Sequence, residues 1–219
     1  MITSSPKIAI FDLDYTLLDG DSEMIWTRFL HELGFVDDQF VNRIEHYYVD
    51  YEQGKLNMVE YEEFLLQPLT LYRPEILHNL RELYLKRITE LARPAMLSRI
   101  YWHRVQGHIL LMATATNSFI ADAIAARFGF KNLICSRIEQ DGNGYTGKLA
   151  AVPAYHEGKV QLVKQWLKEN QKNLSDCWGY SDSYNDLSFL NQVAHPVAVS
   201  PDNRLYAHAL ERSWEIILF

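Results

Sequence analysis

A chain of 219 residues, 48% hydrophobic and 22% charged, can bury one sizeable core with room for an inserted subdomain, which excludes a largely disordered polypeptide. Its net charge of −7 disfavours a protein devoted to nucleic acid or to an anionic membrane, because both reward clustered Lys and Arg; a small-molecule ligand is the better expectation. No apolar run approaches the roughly 20 residues that cross a bilayer, and MITSSPKIAIFDLD lacks the basic start and long apolar middle of a signal peptide, so a cytoplasmic protein with no membrane partner is expected.

Residues 7–12 read as a short buried strand, too brief and too β-rich for a helix. Residues 22–104 then follow a helical period, as in Trp26, Phe29, Leu30 and Leu33 or Ile76, Leu80, Leu83 and Tyr84, with breaks near Gly34, Gly54, Pro68, Pro74 and Pro94. Alternation follows: a strand over 108–113, a helix over 117–128, a strand over 133–136, and a hairpin or flap in the glycine-rich DGNGYTGKL. A helix over 157–170, a strand over 176–180, a helix over 183–192 and a strand over 196–199 complete the pattern. Such an order predicts an α/β protein, with a Rossmann-like parallel sheet covered by helices on both faces. The core is then formed by 1–20 and 105–219, and a helical cap, 21–104, is inserted after the first strand. Cys135 and Cys177 lie far apart without metal-ligand spacing and are expected to be buried thiols rather than a disulfide. Nothing in the sequence fixes an oligomeric state.

Ligands of open parallel sheets bind beyond the carboxyl ends of the strands. Asp12 and Asp14 follow the first strand, Thr114 and Thr116 the second, and Ser181 and Asp182 the stretch CWGY, while Lys159 opens a helix that can lean over the same edge. Gathering Asp12, Asp14, Asp182 and Asp186 there is repulsive, since each anion raises its neighbours' pKa. A divalent cation removes the conflict, and an all-oxygen donor set without His or Cys suits Mg²⁺. Lys159 and its helix start can hold a phosphate, to which Thr114 can donate a hydroxyl. A carboxylate nucleophile, Mg²⁺ and a lysine form a coherent apparatus for phosphoryl transfer through an aspartyl-phosphate. A second acid beside the nucleophile can protonate a leaving alkoxide and then activate water.

FDLDYT, residues 11–16, resembles the DxDxT signature of the haloacid dehalogenase superfamily, and GYSDSYNDL, residues 179–187, resembles its final acidic motif. Thr114 in LLMATATN and Lys159 in HEGKVQL fall in order between them. The likeness spans nearly the whole chain and is greatest to the phosphoserine-phosphatase-like branch (subfamily IB), whose helical cap lies between the first two motifs. This resemblance implies Asp12 as nucleophile and Mg²⁺ ligand, and Asp14 as general acid/base that also binds metal through its carbonyl. It implies Asp182 as the carboxylate ligand, Asp186 as support of the metal shell, Thr114 and Lys159 on the phosphoryl oxygens, and Asn185 touching substrate or phosphate. The expected activity is hydrolysis of a small phosphomonoester. A phosphotransferase or phosphomutase with the same intermediate, or a non-catalytic phospho-ligand-binding protein, are the alternatives.

Other motif residues have plainer readings. Thr16 is expected to brace its loop, Thr116 to cap the following helix in preference to binding phosphate, and Asp186 could simply organise the first turn of its helix. His46, His78 and His103 read as surface or core histidines, with His156 worth watching near Lys159. Trp26, Tyr47, Tyr48, Tyr51, Tyr61 and Tyr72 are expected to pack the cap or line its cavity.

The resemblance also bears on substrate. Phosphoserine phosphatases place a Glu nine residues after the nucleophile, to meet the substrate's ammonium; here Asp21 stands there. Their GKLN-like segment, here residues 54–57, is followed six residues later by an Arg for the substrate carboxylate, and an ungapped reading puts Glu63 in that place. An acid there repels a carboxylate. Acids at Asp21, Glu60, Glu62 and Glu63 instead suit an amine-bearing phosphomonoester such as histidinol phosphate or a phosphorylated amino alcohol.

Overall fold

The structure, a computed structural model, describes residues 7–53 and 55–219. Gly54, read above as a break and as the start of the GKLN segment, lies outside the described residues.

Six parallel strands form the central sheet: β1 (Ile8–Phe11), β2 (Ile109–Asn117), β3 (Asn132–Ser136), β6 (Cys177–Ser181), β7 (His195–Val199) and β8 (Glu215–Ile217), in spatial order β3-β2-β1-β6-β7-β8. β4 (Ile138–Asp141) and β5 (Gly144–Leu149) make the antiparallel hairpin expected of the glycine-rich stretch. All four residues of β1 are buried, because helices cover both faces. Ala9, Phe11, Met112 and Tyr180 pack on one face, whereas Ile8, Ile10, Leu111 and Cys177 pack on the other.

The second face is covered by α8 (Glu157–Glu169), α9 (Leu187–Leu190) and α10 (Asn203–Glu211), through Val160, Val163, Leu190 and Leu205. The first is covered by α6 (Pro94–Val105) and α7 (Ser118–Phe128). Between β1 and α6 the chain forms α1 (Ser22–Glu32), α2 (Asp38–Glu52), α3 (Met58–Leu65), α4 (Gln67–Leu71) and α5 (Pro74–Glu90). Their starts carry the expected signals. Asp21, Asp37 and Asn57 accept bonds from backbone N–H groups of the first turns of α1, α2 and α3, and proline opens α5 and α6. Trp26, Phe29, Leu80, Tyr84 and Ile88 from this block join the same apolar cluster as Phe11 and Met112, so block and sheet share one core.

The chain enters and leaves the block along a paired seam. Asp19 N–H donates to the Leu91 carbonyl at 2.8 Å, and Arg93 N–H donates to the Leu17 carbonyl at 2.9 Å. The Arg93 guanidinium, 8% exposed, reaches the Leu18 carbonyl at 3.1 Å, Asp19 at 3.0 Å and the Ser200 hydroxyl at 3.4 Å. α6 lies beyond this seam and packs on the sheet through Met96 and Ile100.

Some expected elements differ. β2 runs to Asn117 rather than ending near 113, and Asn117 is the cap of α7. The helix expected over 183–192 is a single 3₁₀ turn followed by the short α9, because Ser181 and Ser183 hydroxyls accept the Ser183 and Asn185 N–H groups and compete with helical pairing. α10 and β8 were not anticipated. Both cysteines are buried free thiols, and no helix among the described residues is long and apolar enough to cross a membrane.

Candidate active site

A cavity of about 710 Å³ opens at the carboxyl edge of the sheet, beneath the inserted helices. Asp12, Asp14, Thr114, Lys159, Asp182 and Asp186 all line it, so the residues expected at four separate strand and helix ends do meet. The turn after β1 is tight: Tyr15 holds φ 51°, and Leu17 and Leu18 both donate N–H bonds to the Leu13 carbonyl. Tyr15, His156 (φ 47°) and Ser200 (φ 39°) are left-handed non-glycine residues that all line the cavity, a placement of backbone strain typical of functional sites.

Lys159 is 6% exposed and donates to Asp12 Oδ1 at 3.0 Å and to Asp186 Oδ2 at 2.8 Å. Burial works against its charge, but Asp12 and then Asp186 overcome this and hold the ammonium above its ordinary pKa. The Ser181 hydroxyl also donates to Asp186 Oδ2, at 2.8 Å. Asp186, read from sequence as supporting a metal shell, thus has this oxygen engaged in holding the lysine. The backbone ahead of Lys159 allows no side chain: a Cβ on Gly158 would collide with the Pro153 carbonyl.

Asp14 is held differently. Ser22 N–H donates to Oδ1 at 2.6 Å and the Thr116 hydroxyl to Oδ2 at 2.7 Å, while Thr114 donates to Thr116 at 2.9 Å. Thr116 is therefore not the helix cap expected from sequence; because β2 continues through 116, that role passes to Asn117 and the hydroxyl faces Asp14. Thr16 is the expected brace, its hydroxyl 3.1 Å from Asp182 Oδ1 and 3.5 Å from Asp12 Oδ2.

Burial pushes the Asp12 carboxyl up to about 7, against Lys159 and with help from Asp186 and Asp14. Burial and then Asp21 do the same to Asp14, also to about 7. Asp182 is raised well above the carboxylate range by burial, Asp12 and Asp186. A bound cation would relieve the repulsion within such a cluster. No three His, Cys, Asp or Glu side chains group as a metal site among the described residues, but Asp12 and Asp182 converge on one Thr16 hydroxyl, and an all-oxygen set with two carboxylates fits Mg²⁺ completed by a backbone carbonyl and water.

These features match a known family: the profile described as haloacid dehalogenase-like hydrolase covers residues 9–191. The chain belongs to this family. It is 35% identical to the histidinol-phosphatase of Neisseria meningitidis serogroup C (strain 8013), with 97% of this chain and 99% of that protein aligned. A Bordetella pertussis Tohama I protein of unknown function superposes with a TM-score of 0.90 at 32% identity, covering 98% of this chain and 99% of that one. A substrate-bound phosphoserine phosphatase superposes at 0.70 with 16% identity, over 98% and 93% of the two chains, and shares the fold.

The cap side of this haloacid dehalogenase-like hydrolase differs from the sequence reading. Glu63 is exposed and does not reach the cavity, because Met58, Glu62 and Leu65 form the inward face of α3 at positions i, i+4 and i+7. Glu60 faces solvent, bonded to Arg43 at 3.2 Å and Tyr47 at 2.8 Å. Asp21 lines the cavity, yet its Oδ1 caps α1 at Met24 N–H, 2.8 Å away. Asn185 Nδ2 donates to the Tyr51 hydroxyl at 2.8 Å, linking the loop after β6 to α2. Tyr47, Tyr48, Tyr51 and Tyr61 line the cavity, whereas Trp26 is core and Tyr72 donates to the Phe35 carbonyl. His156 is on the wall; His103 is buried, its ring bonded to His108 and Tyr180. Sequence reading missed Glu23, a buried wall residue two positions beyond Asp21, whose signal was an acid on the apolar face of a helix.

Proposed function

We propose that this protein is a Mg²⁺-dependent phosphatase that hydrolyses a small phosphomonoester through an aspartyl-phosphate on Asp12. The observation that carries this reading is the pairing of two buried carboxyls with opposite partners. Asp12 contacts the Lys159 ammonium at 3.0 Å, whereas Asp14 sits 2.7 Å from a hydroxyl and away from that cation's hydrogen bonds. Burial raises both carboxyls alike, but of the two Asp12 is the one with the Lys159 cation beside it, which favours its anionic, nucleophilic form and also draws in phosphate. Asp14, outside that cation's hydrogen bonds, is the one suited to hold a proton.

In the first half-reaction an Asp12 oxygen attacks phosphorus, the bond to the leaving oxygen breaks, and the Asp14 proton passes to that oxygen. In the second, Asp14 takes a proton from water, whose oxygen attacks phosphorus and releases Asp12 with inorganic phosphate. Lys159 and Thr114 hold the phosphoryl oxygens, and the tyrosines of α2 and α3 exclude water. Asp12, Asp182 and the Asp14 carbonyl would hold Mg²⁺, which when bound neutralises charge on the phosphoryl group.

The substrate we favour is amine-bearing, such as histidinol phosphate. Its support is the name of the Neisseria relative, histidinol-phosphatase, together with the acidic character of the cap side. The reading includes a cytoplasmic location, which is compatible with the two free thiols. A panel of phosphomonoesters assayed for phosphate release, with Mg²⁺ and with a chelator, tests it. Mg²⁺-dependent release with preference for histidinol phosphate is expected; preferential turnover of phosphosugars or nucleotides would defeat the amine reading, and no turnover of any ester would defeat the phosphatase.

A further inference from the structure

The cap end of the cavity concentrates negative charge. Asp21 and Glu23 meet Tyr47 and Tyr48 of α2 and Tyr61 of α3, and among the described lining residues no Lys, Arg or His comes from α1 to α5. The cations on the wall are engaged elsewhere: Lys159 with Asp12 and Asp186, Arg93 with Asp19, and Arg204 over the Tyr184 ring at 3.8 Å.

Glu23 is 5% exposed and rigidly held. Oε1 accepts the Asn117 backbone N–H at 2.9 Å and side-chain N–H at 2.7 Å, and Oε2 accepts the Tyr61 hydroxyl at 3.0 Å. Oε2 therefore keeps capacity for a further donor. Behind it, Glu62 is fully buried and neither carboxylate oxygen has a hydrogen-bond partner. The neighbouring Ser136 hydroxyl donates instead to the Ala115 carbonyl at 2.6 Å. After burial itself, Glu23 and Asp21 are the groups that most disfavour charge on Glu62.

Glu23 and Glu62 are buried, with the half-buried Asp21 near them, and an unpartnered buried carboxylate is among the costliest groups a protein can retain. A cationic ligand reverses that balance. Asp21 has one oxygen committed to its helix, and Glu62 has no direct access to the cavity wall, which leaves Glu23 as the acid that can both touch a ligand and stay fixed.

We propose that the leaving group of the substrate carries a protonated nitrogen read by Glu23, whose carboxyl Asn117 and Tyr61 hold in place and which ionises as that cation binds. Glu23 is thus a specificity-determining residue. This inference rests on the phosphatase reading and adds the residue that chooses the substrate.

The test uses an isosteric pair, 3-aminopropyl phosphate and n-butyl phosphate, with p-nitrophenyl phosphate as a general reporter of phosphatase activity. The wild-type enzyme is expected to favour the aminopropyl ester in kcat/KM by tenfold or more on the scale of about 10–200-fold that a well-placed pocket contact supplies. Glu23→Gln should lower that ratio at least about tenfold, mostly through KM for the amine. An equal or reversed preference in the wild type, which needs no variant, overturns the proposal, as does a folded Glu23→Gln enzyme that keeps the ratio. Turnover of p-nitrophenyl phosphate with a flat ratio defeats this inference alone. Failure to release phosphate from any of the three defeats the phosphatase reading and this inference with it.

Discussion

Thr116 donates its hydroxyl to Asp14 at 2.7 Å across 102 residues of sequence, and Ser22 N–H closes on the other oxygen of the same carboxyl at 2.6 Å. The carboxyl proposed to move the proton is therefore aimed from both sides, by the start of α1 and by a strand distant in sequence. Thr116→Val removes one of the two and should lower kcat by about tenfold, a fraction of the roughly 10²–10⁴ that proton transfer contributes. Thr116→Ser should retain activity. Steady-state kinetics checks both, and an unchanged kcat in Thr116→Val sinks the positioning role.

Asp12→Asn is expected to reduce phosphate release by at least about a thousandfold, because among the described residues no other carboxylate contacts both Lys159 and the Thr16 hydroxyl. Far-ultraviolet circular dichroism should be unchanged. Robust turnover in the purified variant would show that Asp12 is not the nucleophile.

Glu62 links stability to pH in an unusual direction. Its carboxyl is raised well above the ordinary 4.5 by burial and then Glu23, and Glu23 itself is raised to about 8, by burial first and then Asp21. Above about pH 4.5 the unfolded chain releases protons that the folded state retains. Stability contributed by these groups therefore falls as pH rises from that value towards the folded pKa. Glu62→Gln removes one such group, so its Tm should decline less than that of the wild type between about pH 5 and pH 8 and exceed it at the upper end. Parallel Tm profiles would contradict the buried charge.

Arg93 ties both crossings of the seam to the loop after β7 through Leu18, Asp19 and Ser200. Arg93→Ala leaves the Leu18 carbonyl without this donor and should cost on the order of 2 kcal/mol, given about 1.5–3 kcal/mol for hydrogen bonds from a charged group. Urea unfolding measures this directly, and a loss below about 0.5 kcal/mol would assign the contact no structural weight.

The sheet and the meeting of the six motif residues in one cavity were legible because both are local or ordered signals. Ile8–Phe11 is a short apolar run that reads as a buried strand, and Asp12, Asp14, Thr114, Lys159, Asp182 and Asp186 fall at or near element ends that a parallel sheet brings to one edge. The inserted helices were legible from their 3.6-residue period and from the breaks at glycine and proline, of which Pro74 and Pro94 open helices. What the sequence could not decide was which acid faces inward, because that depends on helix phase and on partners distant in the chain. An ungapped count chose Glu63, but the rotation of α3 turns Glu62 inward and Glu63 to water. Likewise Thr116 became a partner of Asp14 only because β2 runs four residues past its expected end at 113. A parallel α/β sheet interrupted by helices follows from the sequence alone, whereas which acid faces inward is set by tertiary packing, since one helical step of about 100° separates a buried carboxyl from a solvated one.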